Sequence, residues 1–504
     1  MTVKKTIDEV LVQIGPLGVY QGCLITLLSF CMLNMGLQAV KMTFIANDPG
    51  WECVGNTSTC SYSGIITTDD LDIYEKRCNM SDGDWKFPDD ASSIVTEFNL
   101  VCDRSILKNV AISMIYLGML IGAIIFGFVS DKFGRCISLL IGMLLMSIAG
   151  MTSSFVGAFW ELALLKFFVG AGIGGSLNSI FILNTEFVGA SKRAFAGTFI
   201  WNFWTLGLCL LSLLGYYLPD WKHLNLAVSA PGALIAILYF FLPESLRWQW
   251  VNGRKASLER ALRRIARING KPFPESIQLV FQEDSSTESG NVCKLFSRRS
   301  TALRMVVCMV AWFASATVYY GVTLSTGKLG GNIYLVFFLT SIIAIPGNTV
   351  AGYIIKRFGN KRVFIITIFL TAISMMAAAL LPTDGDDYVY GRVTLAMLAK
   401  FFVTIAFDAA YLLTFEILPT TLRSVGMGVT SSAARVGSFA SSYVIYLNEI
   451  NRYLPFIVIG LVAILSGILS LLLPETKGLP TKEVLSDDVE EINYSKHDEH
   501  NSTV

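Results

Sequence analysis

Two short basic stretches, far apart in the chain, have closely related sequences. Residues 127–135 read Gly-Phe-Val-Ser-Asp-Lys-Phe-Gly-Arg, and residues 352–362 read Gly-Tyr-Ile-Ile-Lys-Arg-Phe-Gly-Asn-Lys-Arg. Each lies between two apolar runs, and its glycines suit a tight turn between closely approaching helices. A repeat on this scale, with about six apolar runs in each copy, predicts two parallel halves with a ligand site between them.

A glutamate followed by an arginine also recurs, as Glu186 with Arg193 and again as Glu416 with Arg423. Both pairs lie where an apolar run gives way to a basic loop. We expect them to form structural ion pairs, either at the gate between the halves or within the adjoining loops. A Pro-Glu pair recurs as well, at 243–244 and 474–475.

Composition excludes an ordinary soluble enzyme, because 53% of the 504 residues are hydrophobic and only 15% are charged. A helix needs about 20 apolar residues to cross a hydrocarbon core. Twelve runs of this kind predict an all-α membrane protein: 22–42, 107–129, 138–158, 161–184, 195–217, 223–242, 303–323, 333–355, 363–382, 391–414, 424–446 and 454–473. The first run is too late and too long for a cleavable secretory signal.

These runs divide the chain into four parts. We expect a six-helix half at 1–242, a cytoplasmic linker with helices at 243–302, a second half at 303–474 and a disordered tail at 475–504. Basic residues collect in alternate loops and in the linker, which places both termini in the cytoplasm. Within the linker, 257–270 has a helical period that fits either a helix lying on anionic membrane lipid or one packed beneath the bundle.

A polar loop at 43–105 separates the first two runs. It carries two glycosylation sequons, at Asn56 and Asn79, and four cysteines. Clustered cysteines beside sequons indicate an oxidising, extracellular compartment and two disulfides, with all three pairings open. The four are Cys53, Cys60, Cys78 and Cys102.

The last three residues, 502–504 (Ser-Thr-Val), fit the groove of a PDZ-domain protein, which binds a terminal carboxylate by strand addition. No phosphate-binding loop is present, and the three histidines lie at a loop edge and in the tail. The sequence therefore predicts no catalytic centre, no cofactor, no metal site and no nucleic-acid partner.

The first basic stretch resembles the G-x-x-x-D-[RK]-x-G-R motif of the major facilitator superfamily, which forms the loop between helices 2 and 3. The resemblance implies that Asp131 and Arg135 bias gating without touching the ligand. The chain departs from the pattern at Cys136, where a basic residue is usual, and at Lys356, which replaces the acid in the second copy. The superfamily also implies a possible coupling ion, Na⁺ or H⁺.

Further segments, in order and spacing, are similar to the solute carrier 22 family of organic cation, anion and carnitine transporters. They are 94–102 (Ile-Val-Thr-Glu-Phe-Asn-Leu-Val-Cys), 243–248 (Pro-Glu-Ser-Leu-Arg-Trp), 319–321 (Tyr-Tyr-Gly) and 415–423 (Phe-Glu-Ile-Leu-Pro-Thr-Thr-Leu-Arg). The resemblance extends from about residue 10 to about residue 480. It implies a plasma-membrane transporter of small organic ions.

Charged residues inside apolar runs are candidates for substrate contact, because a charge within the bilayer costs about 3 kcal/mol or more unless it is paired or faces water. Lys166 resembles a partly structural basic residue of the superfamily, and Lys400 resembles one that the family often carries before a phenylalanine. Each is interpreted either as a substrate contact or as a structural cation.

Arg435 lies deep in the eleventh run among small residues. Cation transporters of the family carry an aspartate at this place, whereas anion and carnitine transporters carry an arginine. Asp408 departs from the family, which usually has a neutral residue there. The two charges would suit a zwitterion, with its carboxylate on Arg435 and its ammonium on Asp408. We expect both to face one cavity and to neutralise each other when it is empty, while a purely structural pair is the alternative.

Aromatic residues add candidate cation–π contacts for such a ligand. The candidates are Tyr319, Tyr320, Trp204, Trp201 and Phe181. Anion transporters of the family often carry a lysine after the proline of the eighth run. This chain has Asn348 at that place, which argues against a pure anion carrier.

The whole sequence predicts a twelve-helix secondary transporter of organic cations or of zwitterions of the carnitine type, working by alternating access. An organic-anion exchanger is the first alternative. A non-transporting sensor or receptor on the same fold is the second. Charges both in the centre and at the gates favour transport, since a sensor need not alternate between two states.

Overall fold

The structure is a computed structural model. It describes residues 3–54, 60, 62, 64–67, 71–81, 83–189, 192–236, 242–273, 277–279, 292–382, 386–418 and 422–475. The sequon at Asn56 and the tail beyond residue 475, with its predicted PDZ motif, lie outside the described residues.

Helices make up most of the described chain. The first half contains α1 (Ile7–Gln13), α2 (Val19–Val40), α3 (Met42–Ile45), α4 (Leu71–Tyr74), α5 (Ile94–Glu97), α6 (Ile106–Phe133), α7 (Arg135–Thr152), α8 (Phe159–Glu186), α9 (Arg193–Tyr217) and α10 (Trp221–Ala236). The linker contains α11 (Leu246–Val251), α12 (Lys255–Ile268) and α13 (Val292–Phe296). The second half contains α14 (Arg299–Leu324), α15 (Ile333–Ile342), α16 (Ala344–Phe358), α17 (Asn360–Leu380), α18 (Asp386–Ile417), α19 (Arg423–Tyr446) and α20 (Leu454–Ser470).

Short elements lie at the ends of this bundle. Strand β1 (Val3–Lys5) runs parallel to β4 (Ile277–Leu279), and β2 (Glu52–Cys53) runs antiparallel to β3 (Trp85–Lys86). Short 3₁₀ helices occur at Glu75–Asn79, Cys102–Arg104, Ser325–Lys328 and Leu447–Glu449. The first strand pair attaches the N-terminus to the linker, and the second belongs to the polar loop.

Nine helical segments among the described residues are long and apolar enough to cross a membrane. The other three of the twelve predicted runs also form helices. Helix α10 is described only as far as Ala236, and α20 is 17 residues long. Helix α19 has sufficient length, but it carries Arg435 and many small polar residues.

Equivalent helix pairs pack together in the two halves. In the first half α2 packs on α9, α7 on α8 and α7 on α10. Their counterparts in the second half, α14 with α19, α17 with α18 and α17 with α20, are also in contact. Close approach of α6 to α8 depends on glycine, because a Cβ on Gly118 would lie 2.0 Å from a backbone carbonyl oxygen of α8.

The eighth span is broken between α15 and α16. Pro346 has no N–H to donate to the carbonyl of Ile342, the last residue of α15, and a proline ring clashes with the carbonyl four residues before it. The helix therefore ends and restarts at Ala344, just before Asn348.

The two basic turns share one local structure. Gly134 and Gly359 have φ of +114° and +94°, a conformation that glycine adopts without strain. At the first turn, a Glu244 oxygen accepts a hydrogen bond from the backbone N–H of Arg135 (2.8 Å) and so caps α7. The carboxylate of Glu475 lies in the same way beside Gly359. The recurring Pro-Glu pair therefore supplies the carboxylate beside each recurring turn.

The polar loop is covalently fastened to the bundle. Disulfides join Cys53 to Cys60 and Cys78 to Cys102, which selects one of the three possible pairings. Because Cys102 begins the short 3₁₀ helix that leads into α6, the second disulfide ties the loop to the start of that helix.

A buried ion pair holds the same loop to the end of the first span. Arg77 Nη2 lies 3.4 Å from Asp48 Oδ2, and both side chains are buried. The Tyr74 hydroxyl donates to Asp48 and its ring lies 4.0 Å from the Arg77 guanidinium. Burial by itself would raise the pKa of Asp48, but Arg77, Lys108 and the hydrogen bonds outweigh burial and lower the pKa. The carboxylate is therefore ionised at neutral pH.

Helix α12 packs beneath the bundle through its apolar face. Leu258, Leu262 and Ile265 are fully buried on that side. Asn269, which follows the helix, accepts a hydrogen bond from the backbone N–H of Tyr20 (3.0 Å) at the start of α2. The apolar face is thus covered by protein, as in the second of the two predicted arrangements.

We expect loss of the Cys78–Cys102 disulfide to destabilise the protein more than loss of Cys53–Cys60. The first pair is separated by 24 residues in sequence and the second by 7. From loop-closure entropy, the two disulfides should then differ by about 1 kcal/mol in their contribution to the free energy of unfolding. The measurement is thermal unfolding of the two double-serine variants in detergent. Under a reductant that opens both disulfides the two variants should converge, and equal losses without reductant would contradict the expectation.

Candidate functional site

Helix α14 packs on both α18 and α19 and carries two adjacent tyrosines toward them. The rings of Tyr319 and Tyr320 are 5.3 Å apart. The two predicted central charges, Asp408 and Arg435, lie on α18 and α19. We call these four residues the central charge site.

Asp408 lies on the Tyr319 side of this site. Its carboxylate interacts electrostatically with Tyr319, and its side chain is half-buried. No described residue donates a hydrogen bond to it, and no described cation lies within ion-pair distance of it. The carboxylate therefore has no protein partner of opposite charge in this part of the structure.

Arg435 lies on the Tyr320 side. Its guanidinium interacts electrostatically with Tyr320, and its Nε atom is buried without a hydrogen-bond partner. The predicted neutralising ion pair between Arg435 and Asp408 does not form among the described residues. The packing explains the difference, because α14 contacts both α18 and α19 whereas α18 and α19 contact each other only slightly, so that each charge meets a tyrosine of α14.

Lys400 is fully engaged by α14. Its Nζ donates to the carbonyl oxygen of Tyr319 at 3.1 Å and to the hydroxyl of Thr323. The same atom lies 3.1 Å from the centroid of the Tyr319 ring, and the residue is 1% exposed. These contacts give Lys400 a structural role, in which it fixes the position of Tyr319.

Lys166 is engaged within the first half. Its Nζ donates to Ser153 Oγ and Asn225 Oδ1, each at 3.2 Å, and the residue is completely buried. It does not reach the central charge site. Of the two interpretations offered by the sequence, these contacts match the structural cation.

Two other predicted residues connect the halves. Trp204, on α9 of the first half, is buried and its side chain interacts with the Tyr319 hydroxyl. Asn348, on α16 of the second half, donates to Asn202 Oδ1 at 3.2 Å. Asn348 thus forms a contact between the halves beside the proline break.

Further contacts between the halves lie on the face of the bundle that carries the polar loop, which we call the loop face. These loop-face contacts are Lys108 with Glu449 (Nζ–Oε1 3.4 Å), Ser113 with Tyr443 (Oγ–Oη 3.2 Å) and Tyr116 with Tyr320 (ring centroids 5.0 Å). Sequence reasoning missed all three, because each joins residues more than 200 positions apart. The one sequence signal for such a contact was Lys108, a charged residue at the start of an apolar run.

The halves also meet toward the opposite face. There the rings of Phe181 and Tyr411 are 5.8 Å apart. The central charge site therefore has contacts between the halves on both sides of it.

The predicted gating residues Asp131 and Arg135 lie close together at the first basic turn. Their charged atoms are 3.2 Å apart, and Asp131 is largely exposed. The backbone carbonyl of Asp131 accepts a hydrogen bond from Trp248 Nε1 (2.9 Å) at the start of the linker. Both residues thus contact only the first half and the linker in the described interactions.

The predicted ion pair between Glu186 and Arg193 does not form. Arg193 Nη2 lies 2.5 Å from a carboxylate oxygen of Asp8 on α1, and Glu186 accepts a hydrogen bond from the hydroxyl of Ser245. Helix α1 and the start of α11 pack under this end of the half and supply the closer partners.

The equivalent pair in the second half does not form either. Glu416 accepts a hydrogen bond from the Asn360 side chain. Arg423 donates to the Leu418 carbonyl (3.4 Å) and lies over the Phe415 ring at 4.2 Å. In both halves a neutral side chain, and not the arginine, holds the glutamate.

A third buried lysine was missed. Lys41 is completely buried, and its Nζ donates to Ser229 Oγ at 3.2 Å within the first half. The sequence placed it at the boundary of the first run. Because the first helical segment continues to Ile45, Lys41 lies inside the span.

The central charge site offers one acid, one base and two phenol rings, which is a set of groups that binds ions. Among the described residues, no group of three His, Cys, Asp or Glu side chains could hold a metal ion. The site suits recognition of an organic ion better than bond-making chemistry.

Comparison with known proteins agrees with this arrangement. A family model described as sugar (and other) transporter matches residues 69–487. The fold resembles the inward-open xylose transporter XylE of E. coli, with a TM-score of 0.63 and 16% identity over 92% of this chain and 99% of that one. A D-xylose-proton symporter has a TM-score of 0.60 at 16% identity over 91% and 99% of the two chains.

Curated relatives are closer in sequence. Mouse solute carrier family 22 member 3 is 32% identical over 415 residues, 82% of this chain and 75% of that protein. The Drosophila melanogaster organic cation transporter protein is 29% identical over 95% of this chain and 94% of its own length. Human organic cation/carnitine transporter 2 is 30% identical over 97% and 95% of the two chains.

These matches cover nearly the whole chain and confirm the predicted family, fold class and non-enzymatic nature. The chain belongs to the solute carrier 22 family within the major facilitator superfamily, and it is a multi-pass membrane transporter.

Proposed function

We propose that this chain carries small organic zwitterions or organic cations of the carnitine type across the plasma membrane by alternating access. The observation that carries the proposal is the central charge site, where Asp408 and Arg435 flank two tyrosines without partners of opposite charge among the described residues. Relatives named as organic cation and organic cation/carnitine transporters support it.

The energetics of buried charge favour a zwitterion. A charge in a poorly hydrated interior is costly unless it is paired. A substrate ammonium beside Asp408 and the ring of Tyr319 would compensate the acid, and a substrate carboxylate could accept two parallel hydrogen bonds from Arg435. One ligand with both groups would then complete both ends of the site.

An organic-anion exchanger is the second candidate, favoured by the absence of a described acidic partner for Arg435. Asp408 opposes it, since a dianion would place negative charge near an acid. The Asn348–Asn202 contact occupies the place where anion transporters of the family often carry a lysine. The zwitterion therefore fits the described residues better.

The contacts between the halves support alternation. Loop-face contacts close one side of the central charge site, and substrate release on that side requires them to break. A coupling ion, Na⁺ or H⁺, remains a prediction of the family resemblance. Partnership with a PDZ-domain protein or with membrane lipid also remains a prediction.

We place the polar loop outside the cell and both termini in the cytoplasm. Two disulfides in the loop fit an oxidising compartment, and exposed arginines of α12 lie on the opposite side of the bundle. Asn79 of the second sequon is exposed, as glycosylation requires.

The substrate proposal is tested by uptake of a carnitine, a quaternary ammonium ion and a dicarboxylate in cells expressing Arg435→Ala or Asp408→Asn. We expect Arg435→Ala to weaken binding of the carnitine by about 1.5–3 kcal/mol, which is the range for a hydrogen bond to a charged group. Binding of the quaternary ion should be unchanged. Asp408→Asn should weaken binding of the carnitine and of the quaternary ion, and it should leave binding of the dicarboxylate unchanged.

Lys166→Met provides a matched control, because it also removes a buried charge, but one that the protein satisfies within the first half and away from the central charge site. It should lower uptake of all three substrates equally. If Arg435→Ala and Asp408→Asn behave in the same uniform way, these residues are structural and the proposal fails.

The loop-face closure is tested with Lys108→Ala, Glu449→Ala and the double variant. Each carries Ser113→Cys, so that an impermeant thiol reagent reports opening from outside. Loss of either charge should increase the rate at which the reagent modifies the introduced thiol. The rate in the double variant should be only slightly higher than in the faster single variant. The coupling should be about 0.5–1 kcal/mol for an ion pair that keeps partial access to water. Additive effects would show that the two residues act separately.

The proposed orientation is tested by enzymatic deglycosylation. Wild-type protein should lose apparent mass, and the Asn56→Gln/Asn79→Gln variant should not. Each single variant should show an intermediate shift if both sites are used. A persistent shift in the double variant would overturn the assignment of these sequons.

A further inference from the structure

The hydroxyl of Tyr116 is buried and unpartnered. Tyr116 lies on α6 of the first half and is 1% exposed. Its Oη atom has no hydrogen-bond partner among the described residues. A buried polar group without a partner is destabilising, so its presence calls for an explanation.

The position of this hydroxyl points to the central charge site. The ring of Tyr116 meets that of Tyr320 edge-on, with centroids 5.0 Å apart. Its hydroxyl interacts electrostatically with those of Tyr320 and Tyr319. Tyr320 in turn interacts with Arg435, whose Nε is also buried without a partner. Two unsatisfied donors, one from each half, thus border the same tyrosine.

We propose that Tyr116 is a specificity-determining residue that donates a hydrogen bond to the substrate carboxylate held by Arg435. The inference rests on the proposed zwitterion transport. A carboxylate has two oxygens and about four lone pairs, so it can accept from a phenol as well as from a guanidinium. Its arrival would satisfy both donors at once.

This arrangement also links recognition to closure. Tyr116 belongs to the first half and Arg435 to the second, so one carboxylate would bridge the two halves. A ligand shifts a conformational equilibrium only through interactions that differ between its states. A carboxylate-bearing substrate would stabilise the state in which Tyr116 meets Tyr320, whereas a quaternary ammonium ion without a carboxylate would not.

Tyr116→Phe tests the assignment, since it removes only the hydroxyl. We expect the KM for a carnitine to rise about tenfold, as for loss of one hydrogen bond to a charged group, with the KM for tetraethylammonium unchanged. The melting temperature of purified protein should be unchanged or higher, because the hydroxyl loses no hydrogen bond to any described residue. A structural role would instead lower it.

Tyr443→Phe is the matched control, because it removes a phenol hydroxyl that does have a partner, Ser113, at the same interface. It should affect both substrates alike and lower the melting temperature. Unchanged carnitine KM in Tyr116→Phe, while Arg435→Ala loses carnitine selectively, overturns the role of Tyr116 and leaves the proposed function standing. If Arg435→Ala shows no selectivity for carnitine, the proposed function fails and this inference with it.

Discussion

The cost of placing a charge inside an apolar bundle determines which polar residues this transporter uses for structure and which it leaves for a ligand. Three buried lysines, Lys41, Lys166 and Lys400, each donate to neutral oxygens of the protein. Asp408 and Arg435 have no described partner of opposite charge. The contrast between three buried cations that the protein pairs with its own oxygens and an acid and a base without described partners of opposite charge is what supports the proposal that this region binds an ion from outside.

The internal repeat supplies the frame around that region. Each half contains a tight turn at a glycine with positive φ, and a carboxylate lies beside that glycine, from Glu244 in the first half and from Glu475 in the second. The halves differ in the charges that they contribute to the central charge site. Asp408 and Arg435 both lie in the second half and flank α14, whereas the first half contributes neutral aromatic groups, Trp204 and Tyr116. Duplicated backbone geometry thus carries a site whose charges are not duplicated.

The sequence predicted features that local chemistry determines, such as the turn at Gly134. It also predicted the fold and the family, which follow from the resemblance. It placed Asp408 and Arg435 beside the Tyr-Tyr pair but expected them to neutralise each other. Which side chains meet depends on the order of helices around α14, and no local pattern encodes that order. The same reason explains Arg193, whose partner Asp8 comes from a short N-terminal helix that docks under the bundle. Hydrophobic periodicity identifies helices, while charge pairing is a property of their packing.

The strength of the loop-face contacts is suited to a gate that must open. An exposed or partly exposed ion pair contributes about 0–1 kcal/mol, a hydrogen bond about 1 kcal/mol and an aromatic pair about 0.5–1.5 kcal/mol. Together Lys108–Glu449, Ser113–Tyr443 and the ring pair hold the face closed by about 2–3 kcal/mol. One or two hydrogen bonds to a bound carboxylate are of the same size, so a substrate that bridges the halves can decide which side is closed. Selectivity would then appear in turnover as well as in affinity, because only a substrate with a carboxylate engages both halves.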